Sequence, residues 1–154
     1  MEINFAYHET FLYIICTIVQ IGKILNIVVD TSIIIAVIIN EENKKRIIEL
    51  TKEANLFAPA SLHWEIGNAF SAMFKREKLN IKQARIALKY YSEIPIRFTD
   101  LDLENVLNIA NKYKIYAYDA YFIETAKELN APLFSLDKNL LKIARKEGLK
   151  VIEV

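Results

Sequence analysis

From Asn26 to the end of the chain, short uninterrupted apolar runs alternate with longer stretches whose apolar residues recur every three or four positions. Ile27-Val28-Val29 is β-branched throughout, as in a strand buried on both faces. It stops at Asp30-Thr31-Ser32, residues that favour helix starts, and an Ile-rich helix is predicted to follow. The helical spacing then predicts helices over Glu41 to Lys52, Ser61 to Lys75, Ile81 to Tyr91, Leu103 to Tyr113, Ala120 to Leu129 and Lys138 to Lys146, the last closed by Gly148. Between them lie strand-like runs at Leu56-Phe57-Ala58, Ile96-Arg97-Phe98, Pro132 to Ser135 and Lys150 to Val154. Strand and helix alternate with short connections. The expected class is therefore α/β, with about five short strands in a mostly parallel central sheet.

The first 25 residues break this pattern. Phe11 to Ile21 is an apolar-dominated run, shorter than the ~20 residues needed to span a bilayer. Its flank carries Glu2, His8 and Glu9 rather than Lys or Arg, and no small-residue cleavage site follows, which argues against a signal peptide. Residues 1–25 are expected to be an extension, either an extra helix or an over-long start, and residues 26–154 the folded domain. Membrane insertion is not expected.

Composition narrows the chemistry. At 154 residues the chain is one domain's worth, and 53% hydrophobic against 25% charged residues excludes disorder. The single cysteine, Cys16, excludes an internal disulfide framework and a multi-cysteine zinc site, and points to the cytoplasm rather than to secretion. Net charge is +1, so no global basic field attracts nucleic acid; a local patch or a metal must do so. His8 and His63 are far apart and lack a His-x-x-x-His partner, which leaves zinc without a ligand set. There is no Gly-rich phosphate loop and no nucleophilic triad.

In open α/β sheets the ligand crevice lies beyond the carboxyl ends of the strands. Asp30 follows the first strand, Asp137 follows Leu133 to Leu136, Asp119 opens a helix, and Glu65 lies one turn into the helix after the second strand. Taken singly, the three aspartates read as helix N-caps. Glu65 is harder to read that way, because Ser61, Glu65, Asn68 and Ala72 share a helix face beside the apolar stripe, so that this face should lean toward a cleft. Four carboxylates gathered at one edge repel one another and raise their own pKa values. A hard divalent cation removes that cost, and Mg2+ and Mn2+ prefer carboxylate oxygens. The chemistry indicated is metal-assisted phosphodiester hydrolysis.

These segments resemble the PIN domain family. Ile27-Val28-Val29-Asp30-Thr31-Ser32 is similar to its opening strand, and Trp64 to Ala69 to its second acidic motif, a Glu followed three residues later by Asn. Tyr118-Asp119-Ala120-Tyr121 with Glu124-Thr125-Ala126 is similar to the third motif, and Leu133 to Asp137 to the fourth. Size and motif order are most similar to the VapC toxins of type II toxin–antitoxin modules. The resemblance implies a three-layer α/β/α PIN-like fold over residues 26–154 and a Mg2+- or Mn2+-dependent endoribonuclease. It also implies a homodimer, and a cognate antitoxin that blocks the acidic crevice. On this likeness Asp30, Glu65, Asp119 and Asp137 would be the catalytic, metal-binding acids. Thr31 or Ser32, together with Asn68 and Ser135, would orient ligands or waters behind them. The N-terminal extension departs from the family pattern, since such domains usually begin within a few residues of the first strand.

Lys75, Arg76, Lys78, Lys82, Arg85 and Lys89 form a local basic patch around Asn80, a candidate RNA-binding surface beside the helix that carries Glu65. A solvated helical hairpin would look the same. Trp64, Tyr90, Tyr91 and Tyr118 are candidates for stacking on unpaired bases. Two other readings stay open: a non-catalytic PIN-like module that binds RNA or protein, and a phosphohydrolase of the haloacid dehalogenase class. The latter expects an Asp two residues after the first, where this chain has Ser32.

Overall fold

A computed structural model describes residues 24–154. The expectations for the extension fall on residues 1–23, outside the described residues, apart from Ile24 and Leu25. The elements are β1 (Leu25–Val29), α1 (Thr31–Ile38), α2 (Lys44–Thr51), β2 (Ala54–Pro59), α3 (Leu62–Lys75), α4 (Ile81–Glu93), β3 (Ile96–Thr99), α5 (Leu103–Tyr113), α6 (Ala117–Glu128), β4 (Leu133–Phe134), α7 (Lys138–Lys146) and β5 (Val151–Ile152). Among the described residues no helix is long and apolar enough to cross a membrane.

The five strands form one sheet in the order β3-β2-β1-β4-β5, and every pairing is parallel. Helices pack against it as the predicted α/β/α architecture requires. The strands read as continuous apolar runs because they are covered: Ile27, Val28, Val29, Leu133 and Phe134 are fully buried. Helix α6 packs against β1, β2 and β4, and its small Ala120 and Ala126 are buried there beside Phe122 and Ile123. Chain order turns back at β1, with β2 on one side and β4 on the other. That switch point is where a doubly wound sheet opens a crevice above its strand ends.

The helix ends explain most boundary differences from the sequence reading. Helix α6 begins at Ala117, three residues earlier than expected, with Tyr116 at its N-cap. Asp119 is therefore not a cap but a residue of the first turn. Helix α7 closes as expected at Gly148, whose φ of 79° is in the left-handed region. Gly148 N–H donates to Arg145 O (3.0 Å) and Leu149 N–H to Ala144 O (3.0 Å), a Schellman motif. Helix α3 ends the same way without a glycine. Glu77 (φ 55°) donates to Phe74 O and Lys78 to Met73 O, so a side-chain-bearing residue carries the left-handed strain.

Two stability outcomes follow. Phe134→Ala should cost about 3–5 kcal/mol in denaturant melting, whereas Ile86→Ala on the exposed side of α4 should cost less than about 0.5 kcal/mol. Glu77→Gly should stabilise the chain by about 1 kcal/mol by relieving the left-handed residue. A neutral or destabilising result would show that the turn depends on the Glu77 side chain.

Candidate active site

Asp30 is set by the sheet. Its backbone N–H extends the β1–β4 pairing by donating to Phe134 O (3.1 Å), which places it beside Ser135 across 105 residues of chain. Its side chain N-caps α1 by accepting from Ile33 N (3.2 Å). Ser32 Oγ donates to Asp30 Oδ1 (2.6 Å) and Ser135 Oγ to Oδ2 (2.6 Å). Only 5% of the residue is exposed. Burial raises its pKa above the usual carboxylate range; the Ser135, Ser32 and Ile33 hydrogen bonds oppose the rise, and the Asp137 charge adds to it.

Glu65 reaches the same place from α3. Thr31 Oγ1 donates to its Oε2 (2.7 Å) and Ser61 Oγ to its Oε1 (3.0 Å). Ser61 precedes α3 but makes no side-chain cap there, because its hydroxyl is turned onto Glu65 one helical turn later. Burial pushes the Glu65 pKa up to about 7, and the charges of Asp30 and Asp119 contribute in the same direction. Asp119, half-buried in the first turn of α6, is likewise raised by burial and then by Asp137. Asp137 caps α7 as expected, accepting from Asn139 N (2.7 Å) and Leu140 N (3.1 Å), and is exposed.

The four predicted acids are near enough for their charges to act on one another: Asp137 on Asp30 and Asp119, and both of those on Glu65. Among the described residues no Lys or Arg forms a salt bridge with any of them. Nor, among the described residues, do three of them converge tightly enough to make a finished metal-ligand cluster. Asp30, Glu65 and Asp137 instead accept from nearby hydroxyls or amides. The donor set nevertheless fits a hard divalent cation. It consists of carboxylate oxygens, three of the four with pKa values raised, and among the described residues no Lys or Arg forms a salt bridge with them.

The supporting residues separate cleanly. Both Thr31 and Ser32 are engaged, the first on Glu65 and the second on Asp30, and Ser32 Oγ also accepts from Leu136 N (2.9 Å). Ser135 accepts from Asp137 N (2.8 Å) while donating to Asp30, tying β4 to both acids. Asn68, three residues beyond Glu65 on α3, is exposed, and among the described residues no hydrogen bond links it to the acids. Ser61 is the support that the sequence reading placed on the right face without giving it a role; its i, i+4 spacing to Glu65 is the signal. Lys75, Arg76, Lys78 and Lys82 are exposed at the α3–α4 turn, with Lys75 ten residues beyond Glu65, about 15 Å along the helix. Arg85 is exposed on the returning α4, which brings Tyr91 Oη to His63 Nδ1 (2.9 Å). The basic patch is therefore on the hairpin that carries Glu65, but at its far end. Tyr91 is engaged in that contact, whereas Trp64 and Tyr118 are open to solvent.

Comparison with known proteins bears on the fold and the family. The structure of PAE2754 from Pyrobaculum aerophilum is similar at a TM-score of 0.62 and 21% identity, covering 82% of this chain and 89% of the other. VapBC2 from Rickettsia felis, solved bound to a DNA fragment from their promoter, is similar at 0.62 and 14% identity, covering 83% and 98%. FitAcB from Neisseria gonorrhoeae is similar at 0.57 and 16% identity, covering 82% and 96%. Identities this low establish the shared fold. No curated protein gives a significant sequence match. The family model described as PIN domain matches residues 27–146, from the buried centre of β1 to the last residue of α7, and the chain belongs to the PIN domain family.

Proposed function

We propose that this protein is a metal-dependent endoribonuclease acting as the toxin of a toxin–antitoxin pair. The observation that carries the reading is that four carboxylates from four separate elements act on one another without a salt-bridged cation among the described residues. PIN-domain proteins are typically nucleases, and the similar structures include VapBC2 and FitAcB. Asp30, Glu65, Asp119 and Asp137 would hold Mg2+ or Mn2+. The ion would supply Lewis-acid chemistry, lowering the pKa of water and offsetting phosphate charge.

The protein's own groups have distinct tasks in this reading. Asp30 is a rigid anchor, with both oxygens held by serine hydroxyls. Glu65 changes charge near neutrality and is oriented by Thr31 and Ser61. Asp119 in the first turn of α6 and Asp137 at the N-cap of α7 sit at the positive ends of those helices, which favour bound anions. Lys75, Arg76, Lys78, Lys82 and Arg85 would contact the RNA backbone away from the cut, so that long substrates gain more from them than short ones. A homodimer and a cognate antitoxin that covers the acidic crevice complete the proposal. The alternative, a non-catalytic PIN-like module that binds RNA or protein, shares the fold and differs in lacking divalent binding that depends on the acids.

RNA cleavage should require Mg2+ or Mn2+ and stop with EDTA. Asp30→Asn, Glu65→Gln and Asp119→Asn should each reduce it about a hundredfold or more, and Ser135→Ala about tenfold, through weaker metal binding. Cleavage that survives EDTA or Asp30→Asn would overturn the nuclease reading. Calorimetric Mn2+ titration showing no binding that depends on Glu65 and Asp119 would favour the module.

The raised Glu65 pKa has a defined sign. The folded chain retains the proton up to about pH 7, whereas the unfolded chain loses it near 4.5, so metal-free stability contributed by this group falls as pH rises through that window. A bound cation requires the carboxylate. The rise in Tm given by Mn2+ should therefore be larger at pH 8 than at pH 6, and Glu65→Gln should flatten both trends. A Mn2+ effect independent of pH across this range would place the ion elsewhere.

Charge reversal at Lys75 and Arg85 together should weaken binding of long RNA and lower its salt dependence by about two ion equivalents. Unchanged salt dependence would remove the hairpin from the RNA path.

A further inference from the structure

A cavity of about 150 Å³ lies beside Glu65. Its walls come from Pro59, Ala60 and Ser61 at the end of β2, Thr99, Asp100 and Leu101 at the end of β3, and Trp64 and Tyr121. Ser61 joins the two sites, since it lines this cavity while its hydroxyl holds Glu65 at 3.0 Å. The aromatic residues bracket the acids in sequence. Trp64 precedes Glu65, and Tyr121 follows Asp119 in the same helix and meets Tyr118 edge-on at 6.0 Å. Trp64 is 65% exposed, a large apolar surface for a monomer to leave in water next to a charged crevice. The cavity opens to solvent, and an indole and a phenol are among the side chains that line it.

Its polar chemistry is selective. Asp100 is exposed at the rim, and among the described residues no salt bridge engages it. A carboxylate offers only acceptors. Guanine presents two adjacent donors, N1–H and N2–H, that a carboxylate can take together. Adenine and cytosine set one amino donor beside a ring acceptor that the carboxylate repels, and uracil has a single N–H between two carbonyl oxygens. Stacking on Trp64 and Tyr121 would hold any base, and Asp100 would choose among them.

We propose that this cavity is a specificity subsite for one unpaired guanine of the RNA, flanking the phosphate at the acids. The proposal rests on the RNA-cleaving reading above for its biological use, but its binding chemistry can be tested separately. Trp64 is the only tryptophan, so its fluorescence reports the subsite directly. The full chain is titrated with the dinucleoside monophosphates GpU, ApU, CpU and UpU in EDTA, where metal-dependent cleavage is absent. GpU should quench Trp64 saturably and bind about tenfold tighter than the other three, as expected for a two-point hydrogen-bonded pair. Asp100→Asn should remove that preference without changing the melting temperature. Methylating guanine N1 should remove it with the protein unaltered, so the result does not depend on how the variant folds.

Equal binding of the four dinucleotides, no saturable quenching, or a guanine preference that persists in Asp100→Asn or with N1-methylguanine would overturn the subsite. Failure of the nuclease reading appears differently. A chain that prefers GpU but cuts no RNA with Mg2+ or Mn2+ keeps the subsite and loses the enzyme. A chain that cuts RNA without regard to guanine keeps the enzyme and loses the subsite.

Discussion

The pairing of β1 with β4 is the constraint on which the site depends. Val29 opposite Phe134 brings Asp30 next to Ser135, and the Ser135 hydroxyl then binds Asp30 while its oxygen receives the amide of Asp137. One parallel register thus places two of the four acids and ties a third element, α7, to them. A parallel strand allows this because its carboxyl end coincides with that of its neighbour, so the residues leaving each strand share one edge. Slipping the register by one residue would separate Asp30 from Ser135.

The same domain treats carboxylates in two opposite ways. At the crevice, burial and neighbouring anions raise Asp30, Glu65 and Asp119, and neutral hydroxyls donate to Asp30 and Glu65. Near the last turns of α5, α6 and α7, Glu147 receives Lys112 Nζ (2.7 Å) and Tyr113 Oη (2.6 Å), with Lys127 at 3.3 Å. Its pKa falls to about 2, chiefly through the Lys112 and Tyr113 hydrogen bonds. Lys127 also stands 3.7 Å from the buried Glu124, the resemblance's third-motif companion of Asp119. Acids that support the structure are neutralised by cations, whereas those at the crevice are held by neutral groups. The second arrangement costs stability and keeps oxygen ligands available.

The fold was largely legible because its signals are local. Ile27-Val28-Val29 is apolar on both faces, Asp30 and Asp137 cap helices, and Gly148 closes α7; each follows from a few neighbouring residues. The miss at the start of α6 has a physical reason. Tyr116 caps nothing with its side chain, so only the neighbouring packing marks the boundary, while Asp119 looks like a cap and is not one. The distance of the basic hairpin from the acids was likewise invisible, since adjacency to a helix says nothing about which end of it is meant.

By itself the sequence determined which residues could be strands, which helices, and which four carboxylates were candidates, because hydrophobic period and capping chemistry act over a few residues. Tertiary structure alone decided that the charges of those carboxylates act on one another and that Ser61 serves Glu65 rather than its own helix. It also decided that Trp64, Asp100 and Tyr121 close a cavity beside them. These outcomes depend on strand order and on contacts between residues tens of positions apart. No local pattern encodes such contacts; they arise when the sheet and its helices pack together.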